Sequence, residues 1–128
     1  MKEVTPFTKR LMLLQGLYFL LTAVWPLVHI SSFMYVTGPK TDIWLVKTVS
    51  VLILAISLGI LRAAFRELLQ PDVVLIAISS AMGLICIDVY YSLTDVIADI
   101  YLYDALAEAG LILAWVWALK NTPKRTNF

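Results

Sequence analysis

Val73–Tyr91 reads VVLIAISSAMGLICIDVYY, an apolar run whose one charged side chain is Asp88. An α-helix rises about 1.5 Å per residue, so roughly 20 such residues cross the ~30 Å hydrocarbon layer of a bilayer. The backbone polar groups satisfy one another within the helix, which lets a single segment cross lipid. This stretch therefore predicts a membrane span over residues 72–92. Residues 11–30, 42–65 and 99–119 meet the same criterion. Beyond the second of these, the helical pattern predicts continuation through Arg62, Arg66 and Glu67 to Leu69.

The connections are short. Ser31–Thr41 contains the breaker Gly38-Pro39 and reads as a loop, with Thr41 and Asp42 as caps of the next helix. Gln70-Pro71-Asp72 reads as a tight turn, with Pro71 suited to a first helical turn and Asp72 to its positive end. Ser92–Asp95 reads as a loop or a helix cap. Residues 1–128 thus predict one transmembrane domain: an all-α, integral membrane, antiparallel four-helix bundle. The composition agrees, since 61% apolar and 15% charged residues lie far from the soluble average of about 45–50% and 25%. A net charge of +1 gives no electrostatic reason to expect nucleic acid as a partner. Cys86, the lone cysteine, rules out an internal disulfide and a multi-cysteine metal site.

The basic residues set the expected orientation. Lys2, Lys9, Arg10, Arg62, Arg66, Lys120, Lys124 and Arg125 fall on the side of the termini, whereas Lys40 and Lys47 fall on the other. The positive-inside bias then predicts a multi-pass membrane protein with both termini cytoplasmic. Its cytoplasmic cations would meet anionic membrane lipids. The acids run the other way: Asp42, Asp88, Asp95, Asp99, Asp104 and Glu108 lie toward the outer side. Acids contribute little to topology, so this skew needs its own cause.

Three of these acids lie within helices. Asp88 shares a face with Ala77, Ser80, Ala81 and Leu84. Asp104 and Glu108 continue into a stripe with Leu111 and Trp115, beside a line of small residues, Ala107, Gly110, Ala114 and Ala118, that reads as a packing face. In span one, Gln15, Tyr18, Thr22, Pro26 and His29 fall within an arc of about 80° at 100° per residue. An intramembrane carboxylate costs about 2.5–3.5 kcal/mol on the lenient insertion scale and must be protonated, hydrogen-bonded, paired or hydrated. Lys47 is the candidate counter-ion for Asp88 or Glu108, or it snorkels to the interface. In either case at least one inward acid is left without a cation.

Two readings of these residues stand side by side. In the structural one, Gln15, Tyr18 and Thr22 pin helices together and His29 caps a helix end. In the functional one, Glu108, Asp104 and Asp88 face Gln15, Tyr18, Thr22 and His29, with Lys47 nearby, around a pocket for a small cationic or lipophilic ligand. No His-x-x-x-His or Glu-x-x-His spacing marks a metal site, and no motif calls for a cofactor.

The stretches Trp25-Pro26-Leu27-Val28-His29 and Val36–Val46 (VTGPKTDIWLV), with Tyr103-Asp104-x-x-x-Glu108-Ala109, resemble a signature of small bacterial four-span membrane proteins. The resemblance implies a bacterial source, and with it a bacterial cytoplasmic (inner) membrane, and an outer loop that is more than a spacer; it carries no activity with it. Small multidrug transporters are of similar size, but their key glutamate lies in span one, where this chain has none. The leading expectation is a module that binds or transports a cation or lipophilic amine, with protons competing at Glu108. The alternatives are an accessory or homo-oligomeric assembly subunit, and a lipid-modifying or isomerising enzyme that uses an acid pair.

Overall fold

A computed structural model describes residues 2–121. Its elements are α1 (Pro6–Val28), α2 (Ile30–Thr37), α3 (Ile43–Arg66), α4 (Pro71–Leu93) and α5 (Tyr101–Lys120), with a two-residue antiparallel pairing of Lys2–Glu3 and Leu68–Leu69. α1, α3, α4 and α5 are each long and apolar enough to cross a membrane. The chain is an all-α bundle of four such helices, and a multi-pass membrane protein. Lys124 and Arg125 lie outside the described residues.

α1 packs most extensively on α3, and α4 on α5; smaller α1–α5 and α3–α4 contacts join the two pairs. The α1–α3 seam requires a glycine. A Cβ on Gly16 would stand 2.6 Å from Leu61 Cδ2 and 2.7 Å from its Cγ. Gly16→Ala must push Leu61 off its rotamer, at about 1–3 kcal/mol for an overpacked site. Chemical denaturation in mixed micelles reads this loss, and Gly16→Ala paired with Leu61→Ala should recover most of it.

Helix ends differ from the sequence expectation in three places, each with a local cause. Ser31–Thr41 is not wholly loop, because α2 occupies Ile30–Thr37. His29 breaks the ladder at φ −145°, ψ 79°, and its ring accepts from the Ser32 N–H to start the new helix. Gly38, at φ +99°, ends α2 in backbone that side chains rarely adopt. Lys40 folds back to donate to the carbonyls of Thr37 and Gly38 and lies over the Tyr101 ring.

At the far end of α3 the helix does not run on to Leu69. It stops at Arg66, and Glu67 turns left-handed at φ 54°. Glu67 accepts from Lys9 Nζ at 2.7 Å, and that ammonium holds its carboxyl below the usual range. The turn lets Leu68–Leu69 pair with Lys2–Glu3 and buries Leu69 at the end of the bundle that carries the N-terminus.

The core also departs from expectation on α5. Ala107 and Gly110 are exposed and nothing lies within 4 Å of a Cβ built on Gly110, so the small-residue line is not the main packing face. The buried stripe is Ala105, Glu108, Leu111, Trp115 and Ala118. Trp115 and Leu111 remove far more apolar area than alanine and glycine do, and that burial decides which side turns inward. The inward faces of the other helices contribute Met12, Phe19, Ile60, Ala64 and Ala77.

Candidate functional site

The inward face of α1 presents Met12, Gln15, Phe19 and Ala23, all buried, with Tyr18 and Thr22 half-buried at its edge. Gln15 is fully buried and its amide is used at both ends. Nε2 donates to the Ala77 carbonyl of α4 at 2.9 Å, and Oε1 accepts from Trp115 Nε1 of α5 at 2.6 Å. One side chain thus ties three helices through two buried hydrogen bonds, each spanning more than 60 residues of sequence. Such a tie is costly to break, because a buried polar group left alone keeps its desolvation penalty.

The carboxyls lie toward the other end of α5 from Trp115. Glu108 precedes it by seven residues and Asp104 by eleven, so Glu108 stands roughly 10 Å along the helix and Asp104 one turn further. The Tyr18 hydroxyl donates to Asp104 Oδ1, which joins α1 to α5 a turn beyond Gln15. Asp88 of α4 reaches the Asp104 carboxyl within hydrogen-bonding range, and Glu108 lies within electrostatic reach of both. Three acids and one phenol from three helices therefore share one volume.

What Asp88 Oδ2 and Glu108 Oε2 lack is a donor. Asp88 is 4% exposed and Glu108 is 1% exposed. Asp88 Oδ2 and Glu108 Oε2 are buried without any hydrogen-bond partner. Among the described residues, the ion pair present is Lys9–Glu67 at the far end of the bundle, not a pair with any of these acids. Buried carboxylate oxygens in native structures are nearly always satisfied, so two orphans within electrostatic reach of each other call for an explanation. Tyr18 and Asp104 are only half-buried and form the rim, whereas Asp88 and Glu108 lie beneath it.

The remaining residues singled out from the sequence are placed elsewhere. Lys47 is exposed on α3 and pairs with none of the acids. Thr22 turns its hydroxyl back onto the carbonyls of Tyr18 and Phe19 at 3.0 Å each and offers nothing to a neighbouring helix. His29 is exposed and engaged with Ser32, which also accepts from Trp25 Nε1 at 2.9 Å. The structure brings together Gln15, Tyr18, Asp88, Asp104 and Glu108, and leaves Thr22, His29 and Lys47 outside that group.

Trp115 is the member that the sequence did not single out as a polar partner. Its place on the Asp104–Glu108–Leu111 stripe was visible, but the pairing with Gln15 follows from the register between α1 and α5, which no single segment encodes. Among the described residues, no group of three or more His, Cys, Asp or Glu side chains is arranged to hold a metal ion. An open apolar groove lined by Ile85, Cys86, Val89, Tyr90, Leu93 and Thr94 lies on α4 and includes none of the acids. Comparison with protein-family models, with curated proteins and with solved structures finds no match to this chain.

Proposed function

We propose that this protein is a small inner-membrane module of a bacterium, with both termini cytoplasmic, that binds or transports a small lipophilic cation from the outer side. The observation that carries the reading is the pair of orphaned carboxyl oxygens, Asp88 Oδ2 and Glu108 Oε2, buried near Asp104 with no ion pair to a cation of the described residues. Three acids concentrated in one low-dielectric volume repel one another and attract any positive charge that reaches them. Something from outside the described protein must neutralise them: a proton, or a ligand that replaces it. Eight of ten basic residues on the side of the termini support the orientation, which puts the half-buried rim of Tyr18 and Asp104 toward the outside. The Gln15–Trp115 tie and the apolar residues around it, Met12, Phe19 and Leu111, form the floor beneath the acids.

Protons and a cation compete for the same oxygens, so affinity falls as pH falls, by up to roughly tenfold per pH unit for each proton displaced. The groups that face Glu108 are Asp104 from α5, Asp88 from α4 and Tyr18 from α1; α3 sends no ion pair to the cluster. The test is calorimetry of 1-aminoadamantane against the protein in nanodiscs at pH 6 and pH 8. This amine, like lysine with a pKa near about 10, stays charged over that range. Binding that is tighter at pH 8, and that loses its pH dependence in Glu108→Gln, is the expected result. Binding and pH dependence left unchanged by Glu108→Gln would sink the reading.

A further inference from the structure

The two orphaned oxygens constrain the chemistry of the ligand more than charge alone does. Asp88 Oδ2 comes from α4 and Glu108 Oε2 from α5, and both are buried within one cluster without a donor. A cation without hydrogens would reduce the repulsion among the acids and still leave both oxygens without a hydrogen bond. Charge-assisted N–H···O⁻ bonds are about twice as strong as neutral ones, and an unmet buried acceptor keeps its full penalty. The other members of the group cannot provide these hydrogens. The Tyr18 hydroxyl is committed to Asp104, and the Gln15 amide and the Trp115 N–H are committed to their tie.

Resting on the cation-binding reading above, we infer that the cluster is selective for an ammonium with at least two N–H groups, a lipophilic primary or secondary amine, which donates to Asp88 Oδ2 and to Glu108 Oε2. Quaternary ammonium ions are recognised through cages of aromatic faces. Here Tyr18 meets the cluster through its hydroxyl, which donates to Asp104, and not through its ring face. Hard divalent ions take six or more oxygen ligands in regular shells, and the described side chains form no such set. Ligand donors of the ammonium type match what is missing in number and sign.

The experiment is an N-methylation series on one rigid body: 1-aminoadamantane and its N-methyl, N,N-dimethyl and N,N,N-trimethyl derivatives, titrated calorimetrically into the native protein in nanodiscs at pH 8. All four carry one positive charge and the same hydrocarbon. The primary and N-methyl compounds are expected to bind within a few-fold of each other. Affinity should then drop at least tenfold at the dimethyl compound, which has one N–H, and further at the trimethyl compound, which has none. A trimethyl compound that binds as tightly as the primary amine overturns the donor requirement and leaves the cation site standing. A uniform decline beginning at the first methyl overturns it as well, because crowding and not donor count would then decide. If none of the four binds, the cation-binding reading falls and this inference with it. Asp88→Asn and Glu108→Gln, each checked for a monodisperse elution profile, should lower affinity for the primary amine at least tenfold and flatten the step at the dimethyl compound.

Discussion

Glu108→Gln is expected to make the folded protein more stable at pH 8, by about 1–2 kcal/mol, on the scale that prices an intramembrane acid at about 2.5–3.5 kcal/mol. Most substitutions of a fully buried residue lose stability, so the sign is the informative part. In the wild-type chain Glu108 is 1% exposed and Glu108 Oε2 has no partner. Whether the side chain is ionised there or takes a proton from water at pH 8, the fold carries a cost that a neutral amide of the same shape does not. The glutamine can also donate, and the acceptors are in place: Asp104 and Asp88 both lie within electrostatic reach of this position. Asp88→Asn should act in the same direction through its own orphaned oxygen. Unfolding by SDS in mixed micelles, followed by circular dichroism, measures both. A loss of 1 kcal/mol or more in each variant would mean that the carboxyls are held by favourable bonds, and the case for a ligand would go with it. Stability gained where amine binding is lost is the pattern of a site maintained for use.

Much of the architecture was legible because the spans rest on a local property. Val73–Tyr91 is mostly apolar over nearly a bilayer's thickness whatever its neighbours do, the other three spans share that property, and the four helices follow from it. The helix ends were less legible, since they depend on single residues acting across short distances. His29 both stops α1 and starts α2 by capping with its own ring, which made a helix of Ile30–Thr37 where Gly38-Pro39 had suggested only loop. Glu67 halted α3 early because Lys9, 58 residues away in sequence, fixes its carboxyl.

The candidate site was legible in its acids and not in their partners. Asp88, Asp104 and Glu108 stood out by charge and depth alone. Lys47 lay at a matching depth, but the face of α3 that turns inward is set by Ser50, Ser57, Ile60 and Ala64, which leaves Lys47 about a quarter turn away and exposed. The α5 register was read from small residues, whereas the area of Trp115 governed it. Both differences have one origin. Rotation of a helix about its axis is decided by what the whole bundle can bury, and a single segment's pattern states only the choices.

That rotation is held in place by Gln15 and Trp115, and breaking their bond has the largest effect expected of any single change. Trp115→Ala should cost about 3–5 kcal/mol, because it empties a fully buried indole site and orphans Gln15 Oε1. Trp115→Phe separates the two contributions: most of the ring volume stays, the donor goes, and the loss should be about 1–3 kcal/mol. Gln15→Leu removes the other side, leaving the Trp115 N–H and the Ala77 carbonyl unmet, with a loss of similar size. The double variant Gln15→Leu with Trp115→Phe should lose less than the two singles added, by at least about 1 kcal/mol, since apolar groups then face apolar groups. Strict additivity in the SDS titration would refute the tie. If the tie forms the floor beneath the carboxyls, the single variants should also weaken 1-aminoadamantane binding while leaving its pH dependence intact. The carboxyls of Asp88, Asp104 and Glu108 are unchanged in those chains, and only the register that holds them together has been loosened.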